Sequence, residues 1–195
     1  MELETRACNQ AVTAEERADG EKTIKSIVGY AAVFETLSEN LGGFREKIAK
    51  GAFDPVLSDD VRAVFNHDPS FILGRTAAGT LKISVDDTGL RYEVEPPDTQ
   101  GANDLLTSIA RGDVTQSSFS FQVDEDDWQE DDEGRVVRTI KSFAKLRDVS
   151  PVTFPAYPDA TVGVRSLEEW KIKSQDFVKR SKEMLYLELN LLDKR

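Results

Sequence analysis

The sequence changes character at Pro158, and this change constrains the fold more than any other feature. After it, residues 166–192 contain neither Gly nor Pro, as expected of a long helix. Before it, short apolar segments alternate with turn residues, which is typical of β-strands. The segments with strand character are residues 24–34, 44–48, 61–66, 80–85, 90–94, 114–123 and 135–149. We predict a mainly β, α+β domain over residues 1–165, built as a strongly bent antiparallel sheet or barrel, and a C-terminal helical tail over residues 166–195.

One helix is predicted inside the β-rich region. Its apolar face would consist of Leu105, Leu106 and Ile109. Asn103 is a suitable N-cap, and Gly112 stands where a C-terminal cap glycine belongs. Residues 124–133 come later, between two predicted strands, and eight of these ten residues are acidic. Such a run of charge predicts a solvated loop.

The predicted tail carries an apolar stripe. It opens with a capping box, Ser166 and Glu169. Apolar residues then recur at every seventh position, at Trp170, Phe177, Met184 and Leu191. A stripe of this kind can pack against a partner helix and so form a homo-oligomer, or it can pack against its own domain, and the sequence leaves both open.

Composition excludes several classes of function. The 195 residues include 36 acidic and 25 basic side chains, a net charge of -11, so we expect no binding to nucleic acid. The single cysteine excludes an internal disulfide. With one cysteine and one histidine, a zinc site built on several such ligands is also excluded, and the sequence indicates no cofactor. The N-terminus has no basic start followed by an apolar run, and the longest apolar-looking stretch spans only residues 27–34. We therefore expect a cytoplasmic protein with no membrane span.

The single histidine, His67, lies where a predicted strand ends in a polar turn. A side chain there can be held by the strand and still meet a substrate. Imidazole is the usual proton shuttle near neutral pH, so any histidine-dependent catalysis must use His67. The alternative from local sequence is a turn histidine with no chemical role.

Hydroxyl groups line one predicted strand. Alternation places Ser117 on the same face as Phe119, and Ser118 and Ser120 on the other face with Gln122. A serine nucleophile must point away from the packed face and approach a base, so Ser118 or Ser120 is preferable to Ser117. The alternative is a solvated sheet surface.

A carboxylate follows in the next strand. Asp148 is flanked by Leu146 and Val149, so it can be partly withdrawn from water and orient an imidazole. An exposed, salt-bridged aspartate is the alternative.

Four ordered segments over residues 20–165 resemble one known family, the HK97-type prohead maturation proteases of tailed bacteriophages. The segments are GGFREKIAKGAF, FNHDPSFILGRT, LTSIARGDVTQSSFSF and LRDVSPVTFPAYPDATV. The family is similar in fold to the herpesvirus assembly proteases, a β-barrel with surrounding helices. Its members are serine proteases that digest scaffold material inside immature capsids.

The resemblance implies roles for individual residues. The family histidine falls on His67 and the family serine, in a pattern that usually reads Gly-x-Ser-Phe-Gly-Phe, falls on Ser118. The acidic member falls on Asp148, where many relatives have Glu. Gln116 and Ser120 replace the two glycines of the pattern, so Ser120 remains a second candidate hydroxyl.

These roles predict a serine endopeptidase in which His67 removes the proton from Ser118 and Asp148 orients the imidazole. The implied substrates are the scaffolding segment of the major capsid protein, or a separate scaffold protein, and the protease itself. The implied location is the assembling prohead in the host cytoplasm. No oxyanion donor is identified, with Arg165 only a distant candidate. The alternative function is a noncatalytic capsid assembly module with the same fold.

Overall fold

The computed structural model describes residues 2–20, 22–154 and 161–192. The strands are β1 (Glu4–Cys8), β2 (Thr13–Asp19), β3 (Lys22–Val33), β4 (Arg45–Ile48), β5 (Arg62–Phe65), β6 (Asp68–Arg75), β7 (Leu81–Val85), β8 (Gly89–Val94), β9 (Gln116–Glu130) and β10 (Val136–Val152). The helices are α1 (Gln100–Arg111) and α2 (Thr161–Leu192), with short 3-10 turns at Asp54–Val56 and Thr76–Ala78.

Two β-sheets form the body of the protein. The larger has the order β1-β9-β10-β5-β6, and β4 adds to the N-terminal part of β10. The smaller, β2-β3-β8-β7, is antiparallel throughout. The predicted mainly β fold with an internal and a C-terminal helix is confirmed. In the part of the chain that the structure describes, the sheets are not closed into a barrel. The larger sheet is mixed because β4 and β5 run parallel to β10.

Aromatic rings fill the centre of the core. Phe53 stacks on Phe143 with ring centroids 4.4 Å apart, and Phe119 stacks on Phe121 at 4.6 Å. All four rings are at most 1% exposed. Each such pair contributes about 0.5–1.5 kcal/mol beyond the burial of its apolar area. The core therefore fixes which face of β9 and β10 points inward.

Helix α1 packs the predicted apolar face, Leu105, Leu106 and Ile109, into this core. Gly112 ends it with a left-handed φ of +83°, and its N–H bonds to carbonyls of the last turn. The predicted N-cap was wrong. Thr99 is the N-cap, and Asn103 lies inside the first turn with its amide donating to the Thr99 carbonyl.

The acidic run at residues 124–133 was also predicted wrongly. β9 continues to Glu130 and pairs with β10 along this length, so only residues 131–135 form the turn. Trp128 explains the extension, because its ring packs 4.9 Å from that of Phe44 and 6.3 Å from that of Trp170 on α2. A strand is favoured here because one of its faces is covered, although most of its side chains are charged.

Helix α2 begins at Thr161, five residues before the predicted capping box. Leu167 packs in a small apolar cluster on the domain and is 3% exposed. Further along, Phe177 is 72% and Met184 64% exposed, while the side chain of Leu191 lies outside the described residues. The start of the helix thus packs on its own domain, whereas Phe177 and Met184 further along are exposed. Within the described residues, no helix has both the length and the apolar character needed to cross a membrane.

Candidate active site

Strand β9 divides its serines between two faces, as predicted. Ser117 lies on the core side, where its Oγ is 2.7 Å from the hydroxyl of the fully buried Tyr92. Burial raises the pKa of Tyr92, so both groups of this pair are neutral hydroxyls. Ser118 and Ser120 point to the opposite face, away from the phenylalanine rings.

The neighbouring strand β10 brings a carboxylate to the same face. In the antiparallel register, Asp148 lies opposite Ser120 and Ser150 lies opposite Ser118. Residues directly opposite each other in such a ladder share a face. The alternation that selects Ser118 and Ser120 on β9 therefore also selects Asp148 and Ser150 on β10.

His67 reaches this face from a tight hairpin between β5 and β6. Asn66 and His67 form its two-residue turn, with φ angles of +53° and +58°. Positive φ at both positions is what a type I′ turn requires, and it is unfavourable for a residue with a side chain. Asn66 fastens the turn to the end of β10: its N–H donates to the Pro151 carbonyl at 3.1 Å, and its side chain exchanges two hydrogen bonds with Thr153.

These elements place the imidazole of His67 between a hydroxyl and a carboxylate. Nε2 lies 2.7 Å from Oγ of Ser118, and Nδ1 lies 2.5 Å from Oδ1 of Asp148. The imidazole side chain is 21% exposed and the Asp148 side chain 10%. The three residues predicted from distant parts of the sequence are thus in direct contact, in the order hydroxyl, imidazole, carboxylate.

Two further hydroxyls surround the imidazole. Ser120 Oγ lies 3.1 Å from Nδ1, the nitrogen that faces Asp148, and not beside Nε2. Ser150 Oγ lies 3.1 Å from Oδ1 of Asp148 and 3.3 Å from both Nδ1 and the backbone nitrogen of His67. Sequence reasoning did not single out Ser150, because the predicted strand ended at residue 149, whereas β10 continues to Val152. Its position two residues after Asp148 is the signal that a longer predicted strand would have used.

The hydroxyl of Ser118 has a second partner on β1. It donates to the backbone carbonyl of Arg6 at 2.8 Å, because β1 pairs with β9 in a register that sets Ala7 opposite Ser118. Ser118 is fully buried in this arrangement. Since β9 has a partner strand on each side, its backbone N–H groups near Ser118 are engaged in the two ladders and are not free to bind an oxyanion. Arg165, the distant sequence candidate, pairs instead with the exposed carboxylate of Glu2.

A buried ionic network holds β1 in place. Arg6 donates to Glu4 at 2.6 Å and to Glu46 at 2.9 Å, and Arg138 donates to Glu4 at 2.9 Å, to Glu46 at 3.0 Å and to Asp126 at 2.7 Å. Burial alone would raise the pKa of Glu4, but the bonds and charges of Arg138 and Arg6 outweigh it and the pKa is lowered. The same carboxylates raise the pKa of Arg138 despite burial. Glu4 and Arg138 are therefore both charged near neutral pH.

A cavity of about 700 Å³ lies beside β1, away from the imidazole. Its walls include Arg6, Cys8, Leu41, Ile48 and Phe119. Arg6 and Phe119 stand opposite each other on the core side of the β1–β9 pair, so the cavity and the Ser118 hydroxyl are on different faces of that pair. Within residues 2–20, 22–154 and 161–192, no group of three or more His, Cys, Asp or Glu side chains could hold a metal ion.

Comparison with known proteins gives two findings. A family model described as caudovirus prohead serine protease matches residues 10–173, a range that contains His67, Ser118 and Asp148. Among solved structures, the bacteriophage T4 capsid assembly protease is similar, with a TM-score of 0.49 and 14% identity over 80% of this chain and 100% of that chain. No curated protein matches the chain.

Proposed function

The chain belongs to the caudovirus prohead serine protease family, and on that premise we propose that it is a serine endopeptidase whose nucleophile is Ser118. His67 is the proposed general base and Asp148 the residue that orients it. One observation carries the assignment: a single imidazole meets the Ser118 hydroxyl with Nε2 and the Asp148 carboxylate with Nδ1. This is the arrangement that activates a serine for acyl transfer.

In the proposed reaction, the Ser118 hydroxyl turns from the Arg6 carbonyl toward Nε2 of His67. Nε2 takes the proton as Oγ attacks the peptide carbonyl carbon, and the resulting imidazolium is stabilised by Asp148. His67 then gives this proton to the departing amine as the C–N bond breaks, which leaves an acyl-enzyme on Ser118. A water molecule, deprotonated by His67, then attacks the acyl carbon. As the bond from this carbon to Oγ breaks, His67 returns the proton to Oγ, which releases the new carboxyl group and restores the serine.

Ser120 is assigned a supporting position and not the role of nucleophile. Its hydroxyl approaches Nδ1 of His67, which also contacts Asp148 at the shorter distance of 2.5 Å. A nitrogen that donates its proton to a carboxylate has no free lone pair for a hydroxyl proton. Of the two serines, only Ser118 contacts Nε2 of His67, the nitrogen that can act as the base.

We propose that the substrates are the scaffolding segment of the major capsid protein or a separate scaffold protein, cleaved inside the prohead in the host cytoplasm. Flexible, exposed segments are what a protease can cut, and a terminal segment of this chain is a further proposed target. Residues 1–165 are the proposed protease domain and residues 166–195 the tail. The exposed Phe177 and Met184 on α2 give that tail an apolar surface for docking or for a homo-oligomer.

The test is co-expression with the major capsid protein of the same virus. Wild type should shorten the capsid subunit, and S118A should leave it full length. The matched control is S117A, which removes an equally buried hydroxyl from the same strand and should preserve cleavage. A capsid subunit that stays full length with the wild type, or is cleaved equally by S118A, would instead favour a noncatalytic assembly module.

A further inference from the structure

Ser150 is a buried hydroxyl that bridges two members of the candidate site. It is fully buried on β10, opposite Ser118 and two residues beyond Asp148. Its Oγ lies 3.1 Å from Oδ1 of Asp148 and 3.3 Å from the backbone nitrogen of His67, and it also approaches the imidazole Nδ1 at 3.3 Å. A hydroxyl has one proton to donate and lone pairs to accept, so Ser150 can donate to the carboxylate and accept from the His67 N–H at the same time.

We propose that Ser150 is a positioning residue for proteolysis, which holds the carboxylate of Asp148 and the backbone of His67 in register with Ser118. This inference rests on the function proposed above. Ser150 touches neither a substrate nor the reacting Oγ in this assignment. It acts through Asp148 and His67.

The conformation of His67 shows why such a residue is needed. His67 sits at a φ of +58°, an unfavourable region for a residue with a side chain, so its backbone is held there by its surroundings. Asn66 fixes one side of the turn through the Pro151 and Thr153 contacts, and Ser150 fixes the other through the His67 N–H. Loss of the Ser150 hydroxyl frees this side of the turn and leaves the His67 N–H without its hydroxyl partner.

Asp148 depends on the same hydroxyl. Its side chain is only 10% exposed, so little water can replace a lost donor. With the Ser150 bond present, Oδ1 receives donors from two directions and its carboxylate plane is fixed. A shift of about 1 Å between catalytic groups costs about 100-fold in rate, so a modest rotation of Asp148 or His67 is sufficient to slow the reaction.

Ser117 provides a matched control. It is as fully buried as Ser150 and lies on the adjacent strand of the same sheet, but its hydroxyl bonds to Tyr92 on the core side. Replacing either serine with alanine removes one buried hydroxyl group, but only that of Ser150 bonds to the Asp148 carboxylate and to His67. Only the replacement of Ser150 should disturb the imidazole.

The kinetic experiment compares S150A and S117A with wild type on a peptide spanning the capsid cleavage site mapped by mass spectrometry. We expect S150A to lower kcat by about 10- to 100-fold with KM changed less than about twofold, because the loss is one of alignment and not of substrate binding. S117A should keep kcat within about threefold. If S150A proves unstable, S150C takes its place, because a cysteine has nearly the same volume as serine but is only a weak hydrogen-bond donor. S150C should fold and should also show a lowered kcat. Full kcat in a folded S150A or S150C would overturn the proposal.

A spectroscopic readout separates this inference from the proposed function. His67 is the only histidine, so a downfield proton resonance of an imidazole Nδ1–H belongs to it alone. We expect that resonance in an S118A protein, and we expect it to be lost or broadened in S118A/S150A but kept in S118A/S117A. If the wild type cleaves nothing, the proteolytic function is refuted. The comparison of the Nδ1–H resonance among the three variants would still test whether Ser150 positions His67 and Asp148. An unchanged resonance in S118A/S150A would refute the role of Ser150.

Discussion

Replacing Arg138 with methionine should strongly destabilise the protein, because the buried ionic network depends on it. Arg138 is 2% exposed and bonds to the carboxylates of Glu4, Glu46 and Asp126. Methionine keeps much of the apolar stem but removes the charge. Glu4 and Glu46 would then share one guanidinium, that of Arg6, and Asp126 would lose its bond to Arg138. Removing one partner from a buried ionic cluster costs about 3–5 kcal/mol of folding free energy.

The matched control is R75M. Arg75 makes an equally short two-bond pair with Asp60, at 2.8 and 2.6 Å, but their side chains are 47% and 40% exposed. Exposed pairs contribute little to stability, since water can replace the lost partner. In a protein of this size 1 kcal/mol moves the melting temperature by about 2–4 °C, so R138M should lower it by about 6–20 °C and R75M by less than about 4 °C.

The pH dependence provides a second signature. The pKa of Glu4 is lowered from its ordinary value of 4.5 in the folded state, so its contribution to stability is present above pH 4.5 and is lost as the pH falls through the lowered value. R138M lacks the main partner that lowers this pKa. The stability gap between wild type and R138M should therefore narrow below pH 4.5, as measured by urea unfolding across a pH series. Equal losses in R138M and R75M at neutral pH, or a gap that widens in acid, would refute the reasoning.

Three further predictions concern the candidate site. S120A should keep kcat within about tenfold of wild type, because Ser120 faces Nδ1; a loss as large as that of S118A would contradict the assignment. D148N should lower kcat by about 10³–10⁴-fold, since an amide no longer selects the required imidazole tautomer, and near-normal kcat would exclude Asp148 from the mechanism. N66A should lower the free energy of unfolding by about 1–3 kcal/mol, and kcat with it, because alanine tolerates positive φ poorly and makes no bonds to Thr153. Unchanged unfolding and kinetics would show that the turn does not depend on Asn66.

Local patterns in the sequence were sufficient for features set by the backbone alone. Alternation along one strand separates Ser117 from Ser118, because successive side chains of a strand point to opposite faces whatever surrounds them. Gly112 ends α1 because a left-handed cap favours a residue without a side chain. The three proposed catalytic residues came from these patterns together with the family resemblance, and the structure brings them into contact.

Other features depended on partners that are distant in sequence. The acidic end of β9 is a strand and not a loop because Phe44 and Trp170 cover Trp128, and nothing within residues 124–133 indicates those contacts. Arg6 and Arg138 are separated by more than 130 positions, and only folding shows that they share buried carboxylates. The choice between Ser118 and Ser120 likewise depends on which imidazole nitrogen each one meets. A strand sets the direction of its own side chains through local geometry, whereas burial, charge compensation and the nitrogen that faces each hydroxyl are set by the elements packed against it.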